Sequence, residues 1–172
     1  ADIWLAETLS SLAEARFWHS QLPDDGKPLW LSFTLEDQHA HHAPLLRSGE
    51  TVSQAAETAV ALGAAAFLFN CSHPEVMGDA VIQARRVLDQ HGSKMRLGVY
   101  ANAFEPGNET ANAANEALDA IRQDTDPPHY LQWAKRWLAA GADTVGGCCG
   151  IGPEHIAVLA ANLKPKTDCN TR

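Results

Sequence analysis

An α/β fold built on a parallel sheet is predicted by three features of this 172-residue chain. Short apolar runs alternate with stretches of helical periodicity, the pattern of strand–crossover–strand units with right-handed crossovers. The residues with chemical potential gather where the apolar runs end, which is where parallel α/β folds place their sites. The composition, 45% hydrophobic and 20% charged, is that of a globular domain with a real core.

The elements follow in order. Residues 2–6, with Ile3, Trp4 and Leu5, read as a first strand. Ser11 and Glu14 stand at capping-box spacing and open a helix that sets Leu12, Ala15 and Trp18 on one face. A second strand covers 29–33. Thr51 and Gln54 repeat the capping box, and Ala55, Ala59 and Leu62 carry that helix to a stop at Gly63. The run 65–69 is a third strand. After Pro74, the residues Val76, Ala80, Ile82, Ala84, Val87 and Leu88 mark a long helix. Strand 95–99 follows, then a helix with Tyr130, Leu131, Trp133, Trp137 and Leu138 that ends at Gly141. Strand 143–147 and a helix from Pro153 to Leu163 complete the series. The segments 35–50 and 103–127 are longer connections of functional or partly helical character. Residues 166–172 are expected to be a tail on a domain spanning 1–165.

Composition excludes several classes. A net charge of −8 without a basic stripe argues against nucleic acid as a partner. No apolar run approaches the ~20 residues of a membrane span. Four cysteines without a dense framework fit a reducing cytoplasm, where clustered thiols mean metal or catalysis more often than disulfides. The chain opens on Ala1 rather than methionine, and it is expected to be part of a longer protein.

The most telling segment is Gly146-Gly147-Cys148-Cys149-Gly150. Neighbouring side chains on a strand point to opposite faces, so two adjacent thiols meet one atom only where the strand has ended and the backbone turns. Glycine permits that turn. Cys71 occupies the equivalent place after the third apolar run. Three thiolates at two strand ends are the ligand set of an open zinc site, with the fourth tetrahedral position left for substrate. The bland alternatives are buried cysteines acting as small apolar residues, or a vicinal disulfide.

Other candidates have weaker signatures. Glu7, after the first apolar run, is placed to bind a substrate ammonium or act as a base, or is simply a solvated carboxylate before a helix. Asn102 could orient a ligand or satisfy its loop backbone; Asn70 is expected to hold its loop. His39, His41 and His42 share a polar loop with Asp37, where solvated histidines are commoner than a second metal site. His73 lies two residues from Cys71 but is not needed once three cysteines are present. His155 falls in a helix's first turn, where only its neutral form suits the dipole. Cys169 reads as a free surface thiol, and Trp18, Trp133 and Trp137 as packing residues.

Taken together, Ala6-Glu7-Thr8, Trp30-Leu31-Ser32-Phe33-Thr34, Asn70-Cys71, Val99-Tyr100-Ala101-Asn102 and the GGCCG segment resemble, in order and over nearly the whole chain, the zinc-dependent homocysteine S-methyltransferase family. The resemblance implies a (βα)₈ TIM barrel, of which this chain supplies about strands 4–8. It implies Zn²⁺ held by Cys71, Cys148 and Cys149, with Glu7 meeting the substrate amino group. It also implies methyl transfer from a small onium donor, S-methylmethionine or S-adenosylmethionine, to the thiol of homocysteine, giving methionine. Zinc would bind the homocysteine sulfur and hold it as a thiolate, the form that attacks. The family commonly has a proline and then a serine-glycine-glutamate run around the position of Asn102, where this chain has Tyr100-Ala101-Asn102-Ala103-Phe104-Glu105. The family's amino-terminal glycine-rich segment has no counterpart, so the remaining strands are expected from the same or a companion chain. Two rival readings are a non-catalytic, zinc-stabilised barrel fragment or interaction module, and a methyltransferase for another thiol or selenol such as selenocysteine.

Overall fold

The computed structural model of the chain describes residues 1–37, 43–105 and 121–163. Five strands alternate with five helices: β1 Trp4–Leu9, α1 Leu12–Gln21, β2 Leu29–Phe33, α2 Val52–Ala61, β3 Ala66–Asn70, α3 Pro74–Gln90, β4 Arg96–Tyr100, α4 Pro127–Ala140, β5 Thr144–Val145 and α5 Pro153–Asn162. All strand pairs are parallel, and their spatial order is their sequence order, β1-β2-β3-β4-β5. A doubly wound sheet reverses that order at its centre, whereas a barrel keeps it. This sheet is the singly wound kind.

The helix starts are local in origin. Ser11 and Thr51 each accept from the backbone N–H three residues on, and Glu14 and Gln54 reach back to the cap N–H groups. Asp126 caps α4 through the His129 N–H, with prolines opening the first turn. The helix α3 lacks a cap of its own, and the carboxylate of Asp37 accepts from the His73 N–H at 2.9 Å.

Strand periodicity then divides the sheet into two faces. Leu29, Leu31 and Phe33 of β2, Phe67 and Phe69 of β3, and Leu97 and Val99 of β4 join the helices in one apolar cluster. The rings of Phe33 and Phe67 stand 5.5 Å apart, and those of Phe67 and Phe69 5.0 Å. The helices α2, α3, α4 and α5 pack in succession over this face, contributing Met77, Leu88, Tyr130 and Trp137. Each fully buried side chain of this size stabilises the fold by roughly 1.5–3 kcal/mol. The alternate residues Ser32, Asn70 and Tyr100 face the other way.

Several sequence-based expectations need correction. The first strand runs on to Leu9, so Glu7 lies within it rather than after it. Thr8 has φ +59°, and the pairing passes from Ala6–Leu31 to Leu9–Phe33 with one residue extra on β1. That irregularity, a β-bulge, allows the strand to continue. The last strand shrinks to Thr144–Val145, although the Gly146 N–H still donates to the Val99 carbonyl at 2.8 Å. Trp18 is 50% exposed and Ile82 48%, so neither packs on the face its spacing promised. Of the connection 103–127, residues Gln123–Thr125 form a 3₁₀ turn. Residues 106–120 and the loop with His39, His41 and His42 lie outside the described residues, as does Cys169. Among the described residues no helix is long and apolar enough to cross a membrane.

Candidate metal centre

Cys71 follows β3 directly and has φ +49°, a left-handed conformation uncommon for any residue with a Cβ. Its N–H donates to the Tyr100 carbonyl at 3.3 Å, which ties the turn after β3 to the end of β4. Cys148 and Cys149 follow β5. The Cys148 N–H donates to the Ala101 carbonyl, and the Cys149 carbonyl accepts from Ala103, both at 2.9 Å. This segment therefore continues the ladder alongside the segment after β4, but as an open turn.

The glycines have steric reasons. A Cβ at Gly147 would meet Ile151 Cγ2 at 2.1 Å, because Ile151 folds back over the turn. Gly150 has φ +79°, and a Cβ there would meet Ala103 Cβ at 2.9 Å. Side chains at these positions would push the turn away from its neighbours.

The outcome is a cluster of three sulfurs, all within 4.8 Å of one another and partly open to solvent. Cys149 Sγ lies 3.7 Å from Cys71 Sγ and 3.9 Å from Cys148 Sγ. A tetrahedral zinc with Zn–S bonds of ~2.3 Å separates its sulfurs by ~3.8 Å, so two of the three edges have metal-site spacing. Cys71 and Cys148 are joined as a disulfide, their Cα atoms 5.7 Å apart. A disulfide supplies no thiolate, so the reduced chain is the form that offers three ligands. The donor set fits zinc: soft, three in number, and open on one side. The helices α3 and α5 begin at Pro74 and Pro153, within a few residues of these cysteines, and their positive ends favour negative charge at this rim.

His73 does not join the sulfurs. Its ring nitrogen faces the buried Asp37 carboxylate at 3.6 Å, and Asp37 also lies 3.5 Å from Arg47. Asn102, 8% exposed, turns its side-chain oxygen to the Phe104 N–H and so orders its own loop. His155 acquires a definite role as well. Its Nδ1 accepts from the Gly152 N–H at 3.1 Å and its Nε2 lies 2.9 Å from the Thr125 carbonyl. Both bonds are satisfied by the neutral ring with the proton on Nε2, which closes the start of α5.

Glu7 lies beside a polar chain that crosses four strands. Tyr100 Oη is 2.9 Å from Glu7 Oε1 and 2.7 Å from Ser32 Oγ. Ser32 Oγ is 2.7 Å from Asn70 Oδ1, and Asn70 Nδ2 is 2.8 Å from Thr8 Oγ1. Burial raises the ionisation of Tyr100 above the ordinary tyrosine range, the Glu7 carboxylate adds to that rise, and the phenol stays protonated as a donor. Thr8 and Tyr100 belong to the strand-end groups that the sequence gathers at one site, without a role of their own, and Ser32 is not among them. One signal was available: Ser32 is the single polar residue in the apolar run 29–33.

The family described as Homocysteine S-methyltransferase matches residues 1–163. The chain is 26% identical over 167 residues to the "Selenocysteine Se-methyltransferase" of Brassica oleracea var. italica, covering 95% of this chain and 44% of that protein. It is 25% identical over 171 residues to "Homocysteine S-methyltransferase 3" of Arabidopsis thaliana, with the same two coverages. Among solved structures, the homocysteine methyltransferase MmuM from Escherichia coli, in its oxidized form, superposes with a TM-score of 0.64 at 24% identity. That match covers 94% of this chain and 45% of the solved one, and it speaks for the fold. The chain thus spans less than half the length of the curated relatives it matches. With its five parallel strands in sequential order and its match over residues 1–163, the chain belongs to the homocysteine S-methyltransferase family.

Proposed function

We propose that this chain carries the metal-binding, methyl-accepting part of a zinc-dependent S-methyltransferase. Its acceptor is the thiol of homocysteine, its donor is S-methylmethionine or S-adenosylmethionine, and its product is methionine. The observation that carries the reading is the convergence of Cys71, Cys148 and Cys149 from two strand ends into one cluster. When bound, zinc would hold the acceptor sulfur in its nucleophilic, deprotonated form.

The chain's own residues do the rest. The three cysteines hold the ion and leave one side open. Glu7, exposed on the same sheet face as Tyr100, accepts the substrate's α-ammonium and so fixes where the thiol falls. Asn102 keeps the loop after β4 in the shape that carries the Cys148–Cys149 turn.

A second reading has its own support. Two relatives are named for selenocysteine methylation, at 26% and 22% identity. A selenol acceptor requires the same metal site, and the two substrates differ by one methylene and one chalcogen. The barrel also needs closing. Among the described residues β1 and β5 are each paired on one side only, and a groove lined by Trp4, Leu5, Glu7, Trp18 and Leu22 runs along β1. We assign the missing partner to further strand–helix units, in the same or a companion chain.

The test begins with the reduced, zinc-treated protein. X-ray absorption should show three sulfur ligands near ~2.3 Å and a change of the fourth ligand on adding homocysteine. Each donor is then offered with homocysteine and selenocysteine in competition. Methionine formation that follows zinc content supports the proposal. Zinc bound without any methyl transfer, in a preparation with the barrel closed, would leave the interaction-module reading standing.

A further inference from the structure

We propose that Tyr100 is a positioning residue: its phenol holds one oxygen of Glu7 and so aims the other at the amino group of the substrate. The inference rests on the Glu7 reading above and names what makes that carboxylate selective.

The bulge in β1 is the first observation. Ala6 and Leu9 pair with Leu31 and Phe33, residues of the helix-covered face, yet two residues intervene on β1 and one on β2. A regular strand would set Glu7 and Thr8 on opposite faces. Here both reach the other face, Glu7 toward Tyr100 and Thr8 toward Asn70. Thr8 holds a left-handed φ of +59° to make that possible, a conformation costly for a β-branched residue. Strain kept at one position marks a geometry that the surroundings enforce.

Proton counting is the second. Tyr100 has one proton and two oxygen neighbours, Glu7 at 2.9 Å and Ser32 at 2.7 Å. An amide's oxygen and nitrogen are an assignment chosen from its partners. As the side chains stand, Ser32 donates to Asn70 Oδ1 and Asn70 Nδ2 to Thr8. Turning the amide reverses that run and keeps every distance: Thr8 donates to Asn70, Asn70 to Ser32, Ser32 to Tyr100, and Tyr100 to the Glu7 carboxylate. Each hydroxyl proton is then used once, and the chain ends on the negative charge. Neutral donors lined up toward a charge strengthen one another.

The third is mobility. Glu7 is exposed, and its side chain has three rotatable bonds. Free, it would lose rotamer entropy on meeting a ligand; tethered by Tyr100, that ordering precedes binding. The tether occupies Oε1 and leaves Oε2 for the incoming ammonium.

The test compares two acceptors on the zinc-loaded protein by equilibrium titration: homocysteine, and 4-mercaptobutanoate, which lacks only the amino group. The readout is the ratio of the two Kd values, with zinc content measured alongside. Glu7→Gln should erase the preference for homocysteine. Tyr100→Phe, which keeps the ring, should reduce that preference about tenfold, the loss of one hydrogen bond to a charged group, while 4-mercaptobutanoate binding and zinc content hold. Ser32→Ala should give a smaller loss in the same direction. An unchanged preference in Tyr100→Phe, with Glu7→Gln abolishing it, would overturn the role of Tyr100 and leave Glu7 intact. A preference that survives Glu7→Gln would overturn the Glu7 reading itself. Equal weakening of both thiols in Tyr100→Phe would mean general damage and also refute the positioning role.

Discussion

The two faces of this sheet are one residue out of phase and have almost nothing else in common. On the helix-covered face, Leu31, Phe33, Phe67, Phe69, Leu97 and Val99 belong to one apolar cluster with the helices packed over them. On the opposite face, these strands and β1 carry Glu7, Thr8, Ser32, Asn70 and Tyr100, each bonded to another member of the set. The first face is non-directional and tolerates substitutions of similar volume. The second depends on distances of 2.7 to 2.9 Å and on which atom donates. Stability and chemistry are thus separated by parity along β2, β3 and β4 and by the bulge in β1, and the difference can be broken experimentally from either side.

The largest effect expected is at the metal cluster. Cys148→Ser should abolish zinc binding and methyl transfer together, while the metal-free protein keeps its far-UV circular dichroism. Loss of fold in that variant would mean that the rim is structural and the two-face division wrong. Next comes the apolar face. Phe67→Ala, at a fully buried ring, should lower unfolding stability by about 3–5 kcal/mol in denaturant titrations, with zinc stoichiometry unchanged in the folded fraction.

Ser32→Val sharpens the comparison, because it lies next to Phe33 on one strand but belongs to the other face. It leaves Asn70 and Tyr100 each short of a partner, at about 1–3 kcal/mol, despite adding apolar surface. A stabilised Ser32→Val protein would show that this face, too, is simply a core. The smallest effect lies away from both faces. Burial raises the Glu75 carboxyl, but Arg122 beside it outweighs burial and holds it below its usual value of 4.5. The folded value is depressed, so this stabilisation is present above pH ~4.5 and fades as the pH falls through the lowered value. With Glu75 half-exposed, its pair with Arg122 contributes under about 1 kcal/mol; Arg122→Gln should remove that pH-dependent part from melting curves, together with what Arg122 gives Asp124, and leave the neutral-pH fold intact.

What could be read in the sequence follows the range of the interactions. Ser11 with Glu14 and Thr51 with Gln54 are three residues apart, so both helix starts were legible before any tertiary contact was known. The cysteine turn was legible because glycines flank it on both sides. Trp18 and Ile82 were misjudged, since helical spacing identifies a face but not whether a neighbour covers it. The continuation of β1 past Glu7 was hidden because it depends on a positive φ at a threonine, which no propensity anticipates. The link from Tyr100 to Glu7 spans 93 positions and becomes visible only when four strands are laid side by side.

The bulge has one more consequence, for the strand assigned to close this side of the sheet. β1 is apolar at Trp4, Leu5 and Ala6. The extra residue at Glu7–Thr8 interrupts the run of evenly spaced N–H and C=O groups after three positions and bends the strand that carries them. A partner in regular register can pair with only those three residues before it must take up the extra one. The kink that brings Glu7 to Tyr100 is therefore also a register mark, which favours one alignment of the closing strand over its one-residue slips.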